Sequence, residues 1–133
     1  MFSFRFFPLF FSLVPLLFLT GCSPKANYAI VTIEGTASFN NGTPLPDSCT
    51  LEFNVGDYRS SLGKIGPGGT FKTMHTPEIN GVPVGTAKVR ILWNAEGDPP
   101  QEYATLLEKY GYISEGLEVE ITKSDKNFKI EFP

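Results

Sequence analysis

The sequence predicts an all-β domain, an antiparallel β-sandwich of about seven short strands, with one short helix near residues 99–110. Three observations predict it. Apolar and polar residues alternate with a period of two in several separate runs, the mark of strands with one buried face. Clusters of Gly, Pro and Asn part those runs at intervals of about 8–12 residues, as in sandwiches. Glycine (13) and proline (11) are both frequent, which suits short elements joined by tight turns.

The first 21 residues fall outside that fold. Arg5 supplies a sparse positive start, and Phe6 to Leu19 is an uncharged apolar run interrupted by Pro8 and Pro15. It is shorter than the roughly 17–25 residues that span a bilayer comfortably, and its length suits the core of an export signal. It ends at Leu19-Thr20-Gly21-Cys22, which resembles a lipobox. In that reading Leu19, Thr20 and Gly21 form the cleavage signal, and Cys22 receives diacylglycerol on its sulfur and an acyl chain such as palmitate. Residues 22–27 then form a lipidated tether, and 28–133 the domain. Several acyl chains hold a protein on a membrane where one alone is marginal, each buried methylene contributing about 0.8 kcal/mol. Ser23 stands where an aspartate would signal inner-membrane retention, so the resemblance implies a cell-envelope protein on the outer membrane.

Within the domain, Val31, Ile33, Ala37 and Phe39 share one strand face, opposite Thr32, Glu34, Thr36 and Ser38. Asn40 to Asp47 is dense in turn formers. Cys49, Leu51, Phe53 and Val55 form a second apolar face. A weaker segment, Tyr58 to Ile65, pairs with Thr70 to His75 across Gly66-Pro67-Gly68-Gly69. Ala87, Val89, Ile91 and Trp93 mark the longest clear strand. Leu117, Val119 and Ile121 mark another, and Phe128, Ile130 and Phe132 the last. Between them, Tyr103, Leu106, Leu107 and Tyr110 recur at helical spacing. Asp98 is the expected N-cap, Pro99 the first helical residue, Gln101 the partner in a capping box, and Gly111 a left-handed C-cap.

Charge narrows the partners. The chain carries −3 at neutral pH, and loss of residues 1–21 removes Arg5 and no acid. An acidic domain is a poor ligand for nucleic acid, and it lacks the overall positive charge that binds anionic lipid. Membrane attachment is therefore expected through the N-terminal lipid.

Several phrases stand in a recognisable order. Gly35, then Asn41-Gly42-Thr43-Pro44-Leu45-Pro46, precede Gly63-Lys64-Ile65 and Gly68-Gly69-Thr70-Phe71. Gly81-Val82-Pro83-Val84-Gly85-Thr86-Ala87-Lys88-Val89 follows. Glu108-Lys109-Tyr110, Ser114-Glu115-Gly116-Leu117-Glu118-Val119 and Asn127-Phe128 complete the set. Together they resemble small planctomycete lipoproteins with a carboxypeptidase regulatory-like or transthyretin-like domain. Thr86-Ala87 departs from the basic residue and Tyr usual there, and Glu115 interrupts Ser-Gly-Leu. The resemblance implies a prealbumin-like, or immunoglobulin-like, sandwich and residence at the envelope. It implies no catalytic motif and no substrate.

Candidate chemistry is sparse. His75 is the only histidine, which leaves no second His for a metal site and only one candidate base for a catalytic triad. Cys49 shares an apolar face and is expected to be a small buried group. Glu118 and Glu120 point to one outer strand face, where they can bind a cation or act as acids, or simply keep the edge soluble. Trp93, Tyr103, Tyr110 and Tyr112 can stack on a sugar or peptide, although the first three fall at core positions. No cofactor and no metal are expected. The favoured reading is a non-enzymatic binding, adhesion or structural module meeting an envelope protein or polysaccharide. Two alternatives are an accessory domain or weak hydrolase on envelope polysaccharide, and an assembly subunit pairing through an edge strand.

Overall fold

A computed structural model describes residues 28–133. The segments expected to be an export signal, a lipobox at Leu19, Thr20, Gly21 and Cys22, and a tether lie outside the described residues. The domain contains strands β1 (Ile30–Val31), β2 (Ile33–Phe39), β3 (Cys49–Val55), β4 (Ser61–Lys64), β5 (Thr70–Thr76), β6 (Ile79–Asn80), β7 (Val82–Pro83) and β8 (Gly85–Trp93). Helix α1 (Gln101–Tyr110), β9 (Leu117–Ile121) and β10 (Asp125–Phe132) complete it.

The all-β expectation holds, but the pairing is mixed. One continuous path runs β10-β2-β5-β4-β3-β8-β9, with β6 on the edge of β5 and β1 paired separately to β7. All its neighbours are antiparallel except β2 and β10, which run parallel. The path bends back on itself as a nearly closed, barrel-like sheet. The reason is visible in the inward residues. Leu51, Phe53, Val89 and Ile91 from the middle of the path meet Ile33, Ile130 and Phe132 from one end and Ile121 from the other in a single buried cluster. A flat sheet would leave those ends apart, and burial of apolar area at about 25 cal/mol per Å² favours closure.

Register follows the period-two pattern. Cys49, Leu51, Phe53 and Val55 face Trp93, Ile91, Val89 and Ala87, all on the inner side. Glu52, opposite Arg90, and Asn54, opposite Lys88, take the outer side. The weak Tyr58–Ile65 segment contributes only the short β4, whose Ser61 and Gly63 point inward and reduce its apolar signal.

Parallel pairing of β2 with β10 depends on Gly35. A Cβ there would sit 1.7 Å from the Phe128 carbonyl oxygen. β10 bulges between Asp125 and Phe128, and its backbone fills the space a side chain would need. Gly35 opposes Phe128 on one side and Phe71 of β5 on the other.

Helix α1 lies across the end of the sheet where β8 and β10 finish. Leu106 and Tyr110 are buried beneath it, as the helical spacing predicts. Its start differs from expectation: Pro100, extended at ψ 146°, is the N-cap and offers no side-chain bond. Two consecutive prolines separate Asp98 from the first turn and hold the chain extended, so Asp98 does not cap. Gly111 is extended rather than left-handed, at φ −77° and ψ −168°, with its N–H donating to Leu107 O at 2.8 Å. Glycine is needed there for clearance, since a Cβ would lie 2.1 Å from that oxygen.

Gly35→Ala is expected to destabilise the domain by about 3 kcal/mol or more, beyond ordinary overpacking, because backbone has to move. Urea unfolding monitored by far-UV circular dichroism measures it.

Candidate functional site

Among the described residues, polar side chains gather at three places. The first surrounds His75 on the inner face of β5, which is only 4% exposed. Ser61 Oγ lies 2.8 Å from Nδ1, and Tyr28 Oη lies 2.5 Å from Nε2. A neutral imidazole is satisfied on both sides, donating to one hydroxyl and accepting from the other. Tyr28 also stacks on Tyr58 with ring centroids 4.0 Å apart. This cluster fastens the first described residues to β5. Ser61 is completely buried, so its hydroxyl is closed to any substrate. Burial, and secondarily the charge of Arg59, holds the His75 pKa below its usual 6.5.

The second place is the outer face of β3 and β8. Arg90 Nε donates to Glu52 Oε1 at 2.8 Å, Nη2 touches the same oxygen, and Nη1 donates to Tyr112 O at 2.7 Å. The Arg90 guanidinium lies 5.3 Å from the centre of the Tyr112 ring. Asn54 Nδ2 donates to Glu52 at 2.8 Å, and Ser60 Oγ to Asn54 at 2.5 Å. The network pins the loop after α1 to the sheet.

The third is a groove of about 710 Å³ on the outer wall formed by β10, β2, β5 and β4. Lys64, Lys72, Lys126 and Lys129 line it, four of the 11 Lys and Arg side chains in an acidic chain. Phe71 and Gly35 contribute to its floor. Glu34 is its single carboxylate, lying 3.6 Å from the Lys72 ammonium. Strand order explains the gathering. Lys72 opposes Glu34 across β2 and β5, and Lys129 opposes Thr36 across β10 and β2. Gly63 pairs with Thr73, which sets Lys64 beside Lys72 on the next rung. The β10 bulge that Gly35 permits falls at Lys126 and Asn127, the point where such irregularities re-aim side chains. Adjacent like charges on paired strands are unfavourable by themselves.

Of the residues singled out from sequence, Trp93 and Tyr103 are brought together, whereas Tyr112, Glu118 and Glu120 make their contacts elsewhere. Tyr103 lies between Phe39 and Trp93, with ring centroids 5.9 and 6.0 Å away, and Tyr110 packs on Phe132 at 5.2 Å. Tyr103 and Tyr110 thereby join α1 to the sheet, Tyr110 as a buried core residue and Tyr103 and Trp93 as partly buried ones. Tyr103 also edges a smaller cavity of about 270 Å³ with Asn41, Thr43 and Glu102. Burial and the neighbouring Glu102 carboxylate raise its phenol pKa. Tyr112 is on the surface, 70% exposed. Glu118 opposes Lys88, and Glu120 accepts from Thr86 Oγ1 at 2.6 Å. Cys49 is buried and its thiol is pushed up to about 11 by burial and by Asp47, so it stays protonated and unreactive. Among the described residues no three His, Cys, Asp or Glu side chains are grouped to hold a metal ion. Sequence reading missed the lysine groove, although Lys64, Lys72 and Lys129 all fall on the outward positions of their strands.

Comparison of the chain with protein families, with curated proteins and with solved structures finds no match. Among the described residues no helix is long and apolar enough to cross a membrane.

His75 gives a signed pH dependence. Its folded pKa lies below the unfolded value of 6.5, so the fold favours the neutral ring. Stability is complete above about pH 6.5 and falls as pH drops from there toward the folded value. His75→Gln should flatten that fall, read as melting temperature between pH 8 and pH 5. Trp93 Nε1 is buried with no hydrogen-bond partner among the described residues. Trp93→Phe removes that N–H, so its expected cost is under about 1.5 kcal/mol despite the lost volume, measured by urea unfolding.

Proposed function

We propose that this protein is a lipid-anchored cell-envelope module that binds an anionic ligand in the groove of Lys64, Lys72, Lys126 and Lys129. The observation that carries the binding role is the concentration of like charge in one concave wall of an acidic domain. Like charges kept side by side cost stability, and an anion that enters the groove offsets the cost. The groove holds one carboxylate and neither histidine nor cysteine, which supports binding over hydrolysis. Four Lys without Arg suit a ligand recognised by charge density more than by fixed bidentate geometry.

The anchor rests on the lipobox resemblance at Leu19 to Cys22. The ordered phrases from Gly35 to Phe128 support a carboxypeptidase regulatory-like, prealbumin-like sandwich of the kind that planctomycete lipoproteins contain. Its destination is the outer membrane, by the residue at Ser23. The strand-addition alternative has less behind it, because β9 ends the sheet path with Glu118 and Glu120 exposed on it, charges that discourage edge pairing.

Two measurements test these parts separately. Cys22→Ser should move the protein from the membrane to the soluble fraction and abolish labelling by a fatty-acid analogue. Persistence in the membrane fraction would refute the lipid anchor. Lys72→Glu with Lys129→Glu should abolish retention on a sulfonate matrix at pH 6 and low salt, whereas Lys88→Glu with Lys109→Glu should leave most of it. Equal loss from the two pairs would refute the groove.

A further inference from the structure

Resting on the reading of the groove as the binding site, we infer that its ligand is an extended acidic polysaccharide, a chain of uronate or sulfated sugars lying across β10, β2, β5 and β4. The span of the charges is the first reason. Lys126 and Lys129 stand on β10, and Lys64 on β4, three strands further along the path. Neighbouring strands are about 4.8 Å apart, so the outermost lysines are separated by about 14 Å before curvature. One carboxylate or phosphate cannot bridge that distance. A polymer bearing one anion on each sugar ring places charges at intervals close to a strand spacing and meets the lysines in succession.

The second reason is the lining. Outward Thr36 and Asn127 supply a hydroxyl and an amide between the lysines, partners suited to sugar hydroxyls. The one aromatic in the groove, Phe71, is only 3% exposed, so no platform is open for a base to stack on. Single-stranded nucleic acid relies on such platforms. The groove also lies on the side wall of the domain. The chain enters at Tyr28 beside His75, at the end where β5 finishes, and helix α1 covers the opposite end. A polymer lying against the side wall has free approach from either direction.

Glu34 gives the groove a built-in competitor. Its carboxylate is 3.6 Å from Lys72; the Glu34 side chain is 29% exposed, the Lys72 side chain 80%. A uronate entering the groove takes the place of Glu34 at Lys72, and no bond is made or broken. Removing that carboxylate therefore strengthens binding, because Lys72 is freed and a negative charge leaves the groove.

The test uses the full protein purified in non-ionic detergent and captured on a biosensor, with polygalacturonate, monomeric galacturonate and single-stranded DNA of matched charge as probes. Expected are saturable binding of polygalacturonate, none of the monomer at equal uronate concentration, and weaker binding of DNA. Lys72→Glu with Lys129→Glu should weaken polymer binding about tenfold or more, and Glu34→Gln should strengthen it about threefold. The milder pair Lys72→Ala with Lys129→Ala, checked for folding by circular dichroism, should weaken it in the same direction. Binding of the monomer as tight per uronate as the polymer would overturn the extended ligand and leave the anion groove standing. DNA binding as tight as polygalacturonate would overturn the polysaccharide class. An unchanged affinity in Glu34→Gln would overturn the competition at Lys72. Failure of every probe would remove the anion groove itself.

Discussion

The approach of the β10 backbone to Gly35 is the contact on which the rest of the structure depends. β2 has to bond β5 on one side and β10 on the other, with the Phe128 carbonyl where a Cβ would project. That seating aligns Ile130 with Ala37 and Phe132 with Phe39, and so delivers Ile130 and Phe132 to the core. The same irregularity falls at Lys126 and Asn127 on the wall of the groove. Core closure and the candidate site are thus consequences of one steric allowance.

Each end of the barrel-like sheet is closed by a different kind of interaction. At one end α1 buries Leu106 and Tyr110 and inserts Tyr103 between Phe39 and Trp93, an apolar closure stabilised by area and aromatic packing. At the other, Tyr28, His75 and Ser61 form a polar closure in which every imidazole nitrogen is satisfied. Polar groups in such a place are tolerable only when hydrogen-bonded, and a charged ring is disfavoured there. Between the ends, the outer faces differ in their electrostatics. Glu52 and Arg90 are paired and partly buried, whereas Lys64 and Lys126 have no carboxylate within ion-pair distance among the described residues. Uncompensated charge on an exposed wall is free to meet a ligand.

Local pattern was a good guide wherever local forces decide the outcome. Alternation from Cys49 to Val55 and from Ala87 to Trp93 placed β3 and β8 with the right face inward, because a strand side chain has only two directions to choose between. The helical spacing of Tyr103, Leu106, Leu107 and Tyr110 locates α1 and its end at Gly111, but the N-cap and the conformation of Gly111 differ from expectation. Capping depends on the conformation of Pro99-Pro100 and on clearance at Gly111, which residue identity alone does not reveal. The partners of His75, Tyr28 and Ser61, are not legible in the sequence because they lie far from it along the chain.

By itself the sequence determined the strand faces, the helix and the burial of Cys49 and Tyr110. All of these follow from the periodic placement of apolar side chains, which each segment carries within itself. Only the tertiary structure decided the parallel pairing of β2 with β10, the closing of the sheet, the satisfied histidine and the lysine groove. These depend on which strands become neighbours and at what register. Lys64, Lys72 and Lys129 meet because β4, β5 and β10 are brought around one core, and that arrangement is settled by the burial of the whole chain at once.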